Sequence, residues 1–168
     1  GENQTEEYLD KNPLGMMPVL ELDDGTCISE SATICRYLEE TNPNPALMGH
    51  DVLDRALVDM WHRRMEFELL DPIIRIFVHT GEIWKGRLTQ IPELAQINRV
   101  NVLSRMEWLD KELTDREFIV GDDYTVADIT AQCAFVMAKA AVGIRIPAEL
   151  KNLNDWWERV SSRPTARA

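Results

Sequence analysis

Apolar and polar positions change rhythm once along this chain. Up to about residue 42 the pattern is mixed, whereas after Pro45 apolar residues recur three and four apart in long runs, the spacing of helices packed on a shared core. In the first stretch, Thr5 to Leu9 reads as a short helix stopped by Asn12-Pro13, because the residue before proline is pushed out of the helical region. Pro18 to Leu22 and Thr26 to Ile28 read as two strands, with Asp24-Gly25 supplying the positive φ angles of a tight hairpin. A helix is expected from Ser31 to about Glu40 with Ile34, Cys35 and Leu38 inward. It ends before Asn42-Pro43-Asn44-Pro45, the best linker in the chain.

The second stretch opens with one long helix from Asp51, marked by Leu53, Leu57, Met60, Trp61, Phe67, Leu70, Ile74 and Phe77 and bent at Pro72. Another runs from Pro92 to Leu113 with Val102, Met106, Leu109 and Leu113 along one face. Thr125-Val126-Ala127-Asp128 then opens a further helix. The Thr125 hydroxyl can cap it while Asp128, three positions on, reaches back to the Thr125 amide. A cap of this kind is worth about 1 kcal/mol and calls for no catalytic role. The last helix spans Pro147 to Ser161 with Leu150, Leu153, Trp157 and Val160 inward, and Ser162-Arg163-Pro164 ends it. The expected organisation is residues 1–42, a linker 43–50 and an all-helical part 51–168, a mainly α protein of the α+β kind.

Composition narrows the function classes. Eighteen basic against twenty-nine acidic residues give a formal charge of -11, which repels nucleic acid and anionic lipid surfaces. No run approaches the roughly 18 apolar residues of a membrane span, so a cytoplasmic protein is expected. Cys27, Cys35 and Cys133 form no Cys-x-x-Cys pair and read as reduced, mostly buried thiols rather than a disulfide or zinc site. No phosphate-binding glycine loop, metal-spaced cluster or serine-hydrolase elbow is present in the sequence. His62 and Glu66, one turn apart, read as a solvated pair rather than a general base and its orienter. His50 and His79 fit capping roles.

Three islands stand in order: Asn12 to Pro18, Glu30-Ser31 at a helix start, and Val120-Gly121-Asp122-Asp123-Tyr124-Thr125-Val126-Ala127-Asp128. Together with a Trp-rich final helix followed by Arg163-Pro164, they resemble the glutathione S-transferase family over nearly the whole chain. The resemblance implies a partial thioredoxin-like domain, lacking its first strand, helix and strand, followed by an all-helical bundle. The catalytic hydroxyl or thiol is then expected upstream of Gly1. A two-stranded sheet is marginal without partners, and the natural protein is expected to carry roughly 35–40 further residues at its start.

For the residues present, the resemblance implies that Met17, before a cis Pro18, pairs its main chain with the cysteinyl backbone of glutathione. Ser31 would take the γ-glutamyl carboxylate at a helix start that favours anions, and Glu30 the ammonium beside it. Met16 stands where relatives often carry lysine or glutamine. It cannot donate a hydrogen bond, which predicts weaker glutathione binding unless Lys11 substitutes. Met60, Trp61, Arg64 and Met65 would form the wall for a second, hydrophobic substrate. None of Tyr8, Ser29, Ser31 or Tyr37 occupies the place of the sulfur-activating residue.

The implied function is conjugation of the glutathione thiolate to small hydrophobic electrophiles in detoxification, without metal, by a homodimer. The alternatives are a non-catalytic protein-interaction module of the same fold, or another glutathione-dependent enzyme such as an isomerase, dehalogenase or disulfide reductase.

Overall fold

A computed structural model describes residues 1–167, and the chain divides into two compact units, one spanning Gly1–Met48 and the other beginning at Gly49. The first unit starts with a turn of 3-10 helix at Glu2–Gln4 and helix α1, Glu6–Lys11, capped by the Thr5 side chain, which accepts the Tyr8 amide. Strands β1, Val19–Glu21, and β2, Cys27–Ser29, pair antiparallel with Val19 opposite Ser29 and Glu21 opposite Cys27. Their turn differs from expectation at one residue. Gly25 alone takes the positive φ, +84°, and the Asp24 carboxylate instead accepts the Thr26 amide at 2.9 Å, which holds its pKa below the usual value.

Helix α2, Ser31–Thr41, ends at Asn42 as the proline-rich linker requires. Its expected inner face is not buried: Leu38 is 46% exposed, and Cys35 is exposed as well. No apolar side chain among residues 1–48 is fully buried in this structure. The thiols follow suit, with Cys35 and Cys133 exposed and Cys27 half-buried, against the expectation of buried cysteines.

The second unit carries the core. It is built from α3 (Val52–Met65), α4 (Asp71–Thr80), α5 (Pro92–Glu112), α6 (Val126–Val142) and α7 (Lys151–Ser161). Asp51 caps α3 by accepting the Asp54 amide. Between α3 and α4 the chain stays helical through a wider π turn at Glu66–Leu70, closed by the Asp71 amide on the Glu66 carbonyl. Pro72 follows at once. Proline lacks an N–H and crowds the carbonyl four residues back, so the irregularity lies in the turn before it rather than at it.

The long helix also faces the core differently from its sequence reading. Val58, Trp61, Met65, Leu69, Ile73 and Ile76 point in, whereas Leu53 is 70% and Phe67 58% exposed. Both faces are apolar, so spacing alone could not choose between them. On α5 the expected face holds, with Val102, Met106 and Leu109 completely buried.

Helix α7 starts at Lys151, after a turn in which the Leu150 amide bonds Pro147. Its buried tryptophan is Trp156 rather than Trp157. The reason is polar. Trp156 Nε1 donates to Asp128 Oδ1 at 2.8 Å, the Ile119 amide donates to the same oxygen at 3.0 Å, and the Thr125 amide and hydroxyl donate to Oδ2 at 2.9 and 3.2 Å. Asp128 is fully buried and closes a capping box with Thr125. Burial pushes its carboxyl above the usual range while these donors pull it back.

Asp128→Asn keeps the shape but puts an NH2 group against buried donors. It is expected to lower the unfolding free energy by about 2–4 kcal/mol, whereas Thr125→Ala is expected to cost about 1 kcal/mol. Urea unfolding of both variants checks this, and an Asp128→Asn protein as stable as the parent would refute it.

Candidate functional site

The hairpin register brings two of the sequence islands to one end of the sheet. The Val19–Ser29 pair is the last of the ladder, and Met17-Pro18 and Glu30-Ser31 are the residues just beyond it on the two arms. On the first arm the Met17-Pro18 bond is cis, and the side chains of Met16 and Met17 are 63% and 71% exposed.

What shapes this arm is a set of polar side chains behind it. Asn12 is buried. Its Nδ2 donates to the Met16 carbonyl at 2.8 Å, while its Oδ1 accepts the Leu14 amide at 3.2 Å. The Tyr8 hydroxyl donates to the same Met16 carbonyl at 2.7 Å, and Asn3 Nδ2 donates to the Gly15 carbonyl at 2.7 Å. Gly15 is required there. Its φ is +61°, and a Cβ would stand 2.5 Å from the Gln4 amide nitrogen. With the carbonyls of residues 15 and 16 both engaged, the loop presents the Met17 main chain in one orientation. Sequence reasoning used Asn12-Pro13 only as a helix stop, and the side-chain role of Asn12 had no local signal.

On the second arm Glu30 takes φ +69° at the N-cap of α2, a left-handed conformation that costs a residue bearing a Cβ. No side chain caps this helix. The first intrahelical bond runs from the Ile34 amide to the Glu30 carbonyl, so the amides before it are free to meet an anion. Glu30 and Ser31 are both exposed. The arrangement fits a zwitterionic group: a carboxylate on the amides and hydroxyl of Ser31, an ammonium on Glu30. Lys11 is already occupied. It pairs with Glu21 at 2.7 Å, a contact that raises its pKa, and does not stand in for a cation at Met16.

The other named residues lie in the second unit. Trp61 is buried and stacks on Trp108 with ring centroids 5.4 Å apart, and Met65 has no exposed surface. Met60 is partly buried against the same core, and Arg64 lies over the Trp61 ring at 4.8 Å. Of the four, Arg64 lines a cavity of about 300 Å³ together with Glu68, Arg105, Trp108 and Glu112. His62 is buried rather than solvated, and Glu66 pairs with Arg63. His79 Nδ1 accepts the Ile91 amide at 3.3 Å, and His50 lies 3.8 Å from Asp123. Among the described residues no cluster suits a metal ion, and no helix is long and apolar enough to cross a membrane.

Residues 1–41 match the family model described as Glutathione S-transferase, N-terminal domain, and residues 69–164 that described as Glutathione S-transferase, C-terminal domain. Glutathione S-transferase 2 of Saccharomyces cerevisiae is 36% identical over 99% of this chain, which spans 72% of that protein. Elongation factor 1-gamma-A of Xenopus laevis is 30% identical over 99% of the chain, which spans 36% of it. The crystal structure of Gtt2 from Saccharomyces cerevisiae superposes with a TM-score of 0.90 at 34% identity, covering 99% of this chain and 80% of that one. The hairpin with α2 is thus a part of a thioredoxin-like domain, the helices beyond it are the helical domain, and the chain belongs to the glutathione S-transferase family.

Proposed function

We propose that this protein is a glutathione transferase that joins the sulfur of glutathione to small hydrophobic electrophiles. The observation that carries the reading is the uncapped start of α2, where Glu30 holds a left-handed backbone and leaves the Ser31 hydroxyl and the first amides available. Asp51 and Thr125 cap α3 and α6, whereas the N-cap residues of α5 and α7 supply no side-chain cap, as in α2; what sets α2 apart is the positive φ of its N-cap residue. Glutathione supplies the missing acceptor through its γ-glutamyl carboxylate, and its ammonium meets Glu30. The Met17 amide and carbonyl, presented by the loop that Asn12 and Tyr8 hold, pair with the cysteinyl backbone. These residues bind and orient the thiol for attack. The electrophile sits against the α3 surface of Met60 and Arg64, with Trp61 and Met65 as packing behind it.

A second reading, a non-catalytic interaction module, is favoured by the elongation factor relative. The two separate on turnover: the full-length protein is expected to conjugate glutathione to 1-chloro-2,4-dinitrobenzene, and glutathione binding without conjugation would select the module. We place the protein in the cytoplasm, consistent with its reduced thiols.

The same proposal includes a homodimer. Helix α5 buries one face and exposes Ile97, Val100 and Leu103 at spacings of three on another, 57%, 59% and 42% accessible. A second copy covering this stripe would explain it.

Three outcomes are expected. Ser31→Ala weakens glutathione binding by about 1–3 kcal/mol in calorimetric titration, because the carboxylate loses a partner; an unchanged dissociation constant would make Ser31 a mere helix start. Met16→Lys tightens binding in the same titration by restoring a donor and a charge beside the loop. Val100→Asp shifts the sedimentation coefficient from dimer to monomer and makes the unfolding midpoint independent of protein concentration.

A further inference from the structure

The proposed site provides for two of the three residues of glutathione. The γ-glutamyl carboxylate has Ser31 and the amides at the start of α2, its ammonium has Glu30, and the cysteinyl backbone has the Met17 amide and carbonyl. The glycyl residue leaves Met17 on the side away from α2, where Met16 and the loop behind it stand. Met16 is 63% exposed and ends in a thioether, which donates no hydrogen bond.

The polar side chains behind Met16 are committed to the loop itself. Tyr8 has one hydroxyl hydrogen and gives it to the Met16 carbonyl at 2.7 Å, to which Asn12 Nδ2 also donates at 2.8 Å. Asn3 Nδ2 and Gln4 Nε2 both donate to the Gly15 carbonyl, at 2.7 and 3.3 Å. These bonds fix the shape of the loop, and none of the four side chains is cationic. Charge is scarce in this unit in any case. Among residues 1–48, Lys11 and Arg36 are the only basic side chains against ten acidic ones. Lys11 Nζ lies 2.7 Å from Glu21 Oε2, and Arg36 belongs to α2, on the γ-glutamyl side of the site. Tyr8 also lines a cavity of about 330 Å³ with Glu2, Thr5, Glu7 and Lys11, so the space beside it presents two carboxylates and one lysine that Glu21 already holds. A further carboxylate brought to this side finds no partner and keeps its own water.

We infer that the protein selects its thiol by the γ-glutamyl-cysteinyl half alone, accepting γ-glutamylcysteine and glutathione esterified at glycine as readily as glutathione itself. This deepens the transferase reading and rests on its placement of glutathione. A charge-assisted contact to a carboxylate changes affinity by about tenfold or more, so an enzyme that holds the glycyl end distinguishes these thiols sharply. One whose described residues bring no cation to that end does not. The co-substrate class is then any thiol with a free γ-glutamyl-cysteinyl head, whatever follows the cysteine.

The assay chemistry is the same for each thiol. With 1-chloro-2,4-dinitrobenzene a sulfur–carbon bond forms, chloride leaves with its electron pair, and the thiol proton passes to solvent. Steady-state rates of the full-length protein are measured with glutathione, its glycyl monoethyl ester and γ-glutamylcysteine, each kcat/KM being divided by that thiol's uncatalysed rate constant. The three values are expected to agree within about threefold. Met16→Lys is expected to open a gap of at least about fivefold between glutathione and the ester, because only the free glycyl carboxylate meets the new ammonium. Ser31→Ala is expected to lower all three values alike. A preference of the parent for glutathione over its ester of about tenfold or more would overturn the inference, and so would a Met16→Lys protein that treats the two alike. Calorimetric titration with the same thiols repeats the comparison without turnover. Equal binding without conjugation rejects the transferase and keeps the inference, whereas binding of none of the three overturns both.

Discussion

The helical unit depends on one buried carboxylate. An unpaired charge in an apolar interior costs several kcal/mol even after relaxation, so Asp128 is tolerable there only because donors surround both its oxygens. Those donors come from three separate places: the Ile119 amide in the bend before α6, Thr125 at its first turn, and the Trp156 indole on α7. Each needs the acceptor as much as the acceptor needs them. The position of α7 along α6 is thereby fixed by polar geometry as well as by the apolar surface between them. Neighbouring contacts reinforce the join, with Arg159 donating to the Glu117 carbonyl and Arg163 lying 3.8 Å over the Tyr124 ring.

The contacts that define the described loop of the first unit are of a different kind. The unit is part of a thioredoxin-like domain, and no apolar side chain among residues 1–48 is fully buried. Its loop from Asn12 to Pro18 is instead defined by side chains bonded to main-chain carbonyls, Asn12 and Tyr8 on residue 16 and Asn3 on residue 15. Hydrogen bonds are directional, which suits a surface whose task is to present one main-chain amide and carbonyl at a set angle. Apolar packing would have made the loop stable without specifying that angle as closely.

This division explains what the sequence could and could not disclose. Features determined within a few residues were legible: the Thr125–Asp128 box, the hairpin around Gly25 and the stop at Asn42-Pro43. Features decided by what lies opposite were not. The long helix is apolar on two sides, and a π turn changes its phase midway, so periodicity chose Leu53 and Phe67 where the core takes Val58 and Leu69. Trp156 and Trp157 are adjacent and chemically alike. Only the carboxylate facing α7 decides which one is buried. Asn12 read as punctuation because its partners are carbonyls of a loop whose shape it helps to create.

Charge raises a last question, since glutathione carries carboxylates and the chain is strongly acidic. Net charge acts over distance, and at physiological salt the screening length is about 8 Å, so most of the -11 is not felt at any one point on the surface. What a bound carboxylate meets is its immediate surroundings. At the start of α2 these are backbone amides that no side chain has claimed, which attract an anion without a formal positive charge nearby. That arrangement places favourable charge at contact distance, where it governs how long a ligand stays. The acidic surface acts mainly on how often it arrives. An acidic protein can therefore hold an anionic ligand tightly, provided that the site does not share its positive end with the carboxylates around it.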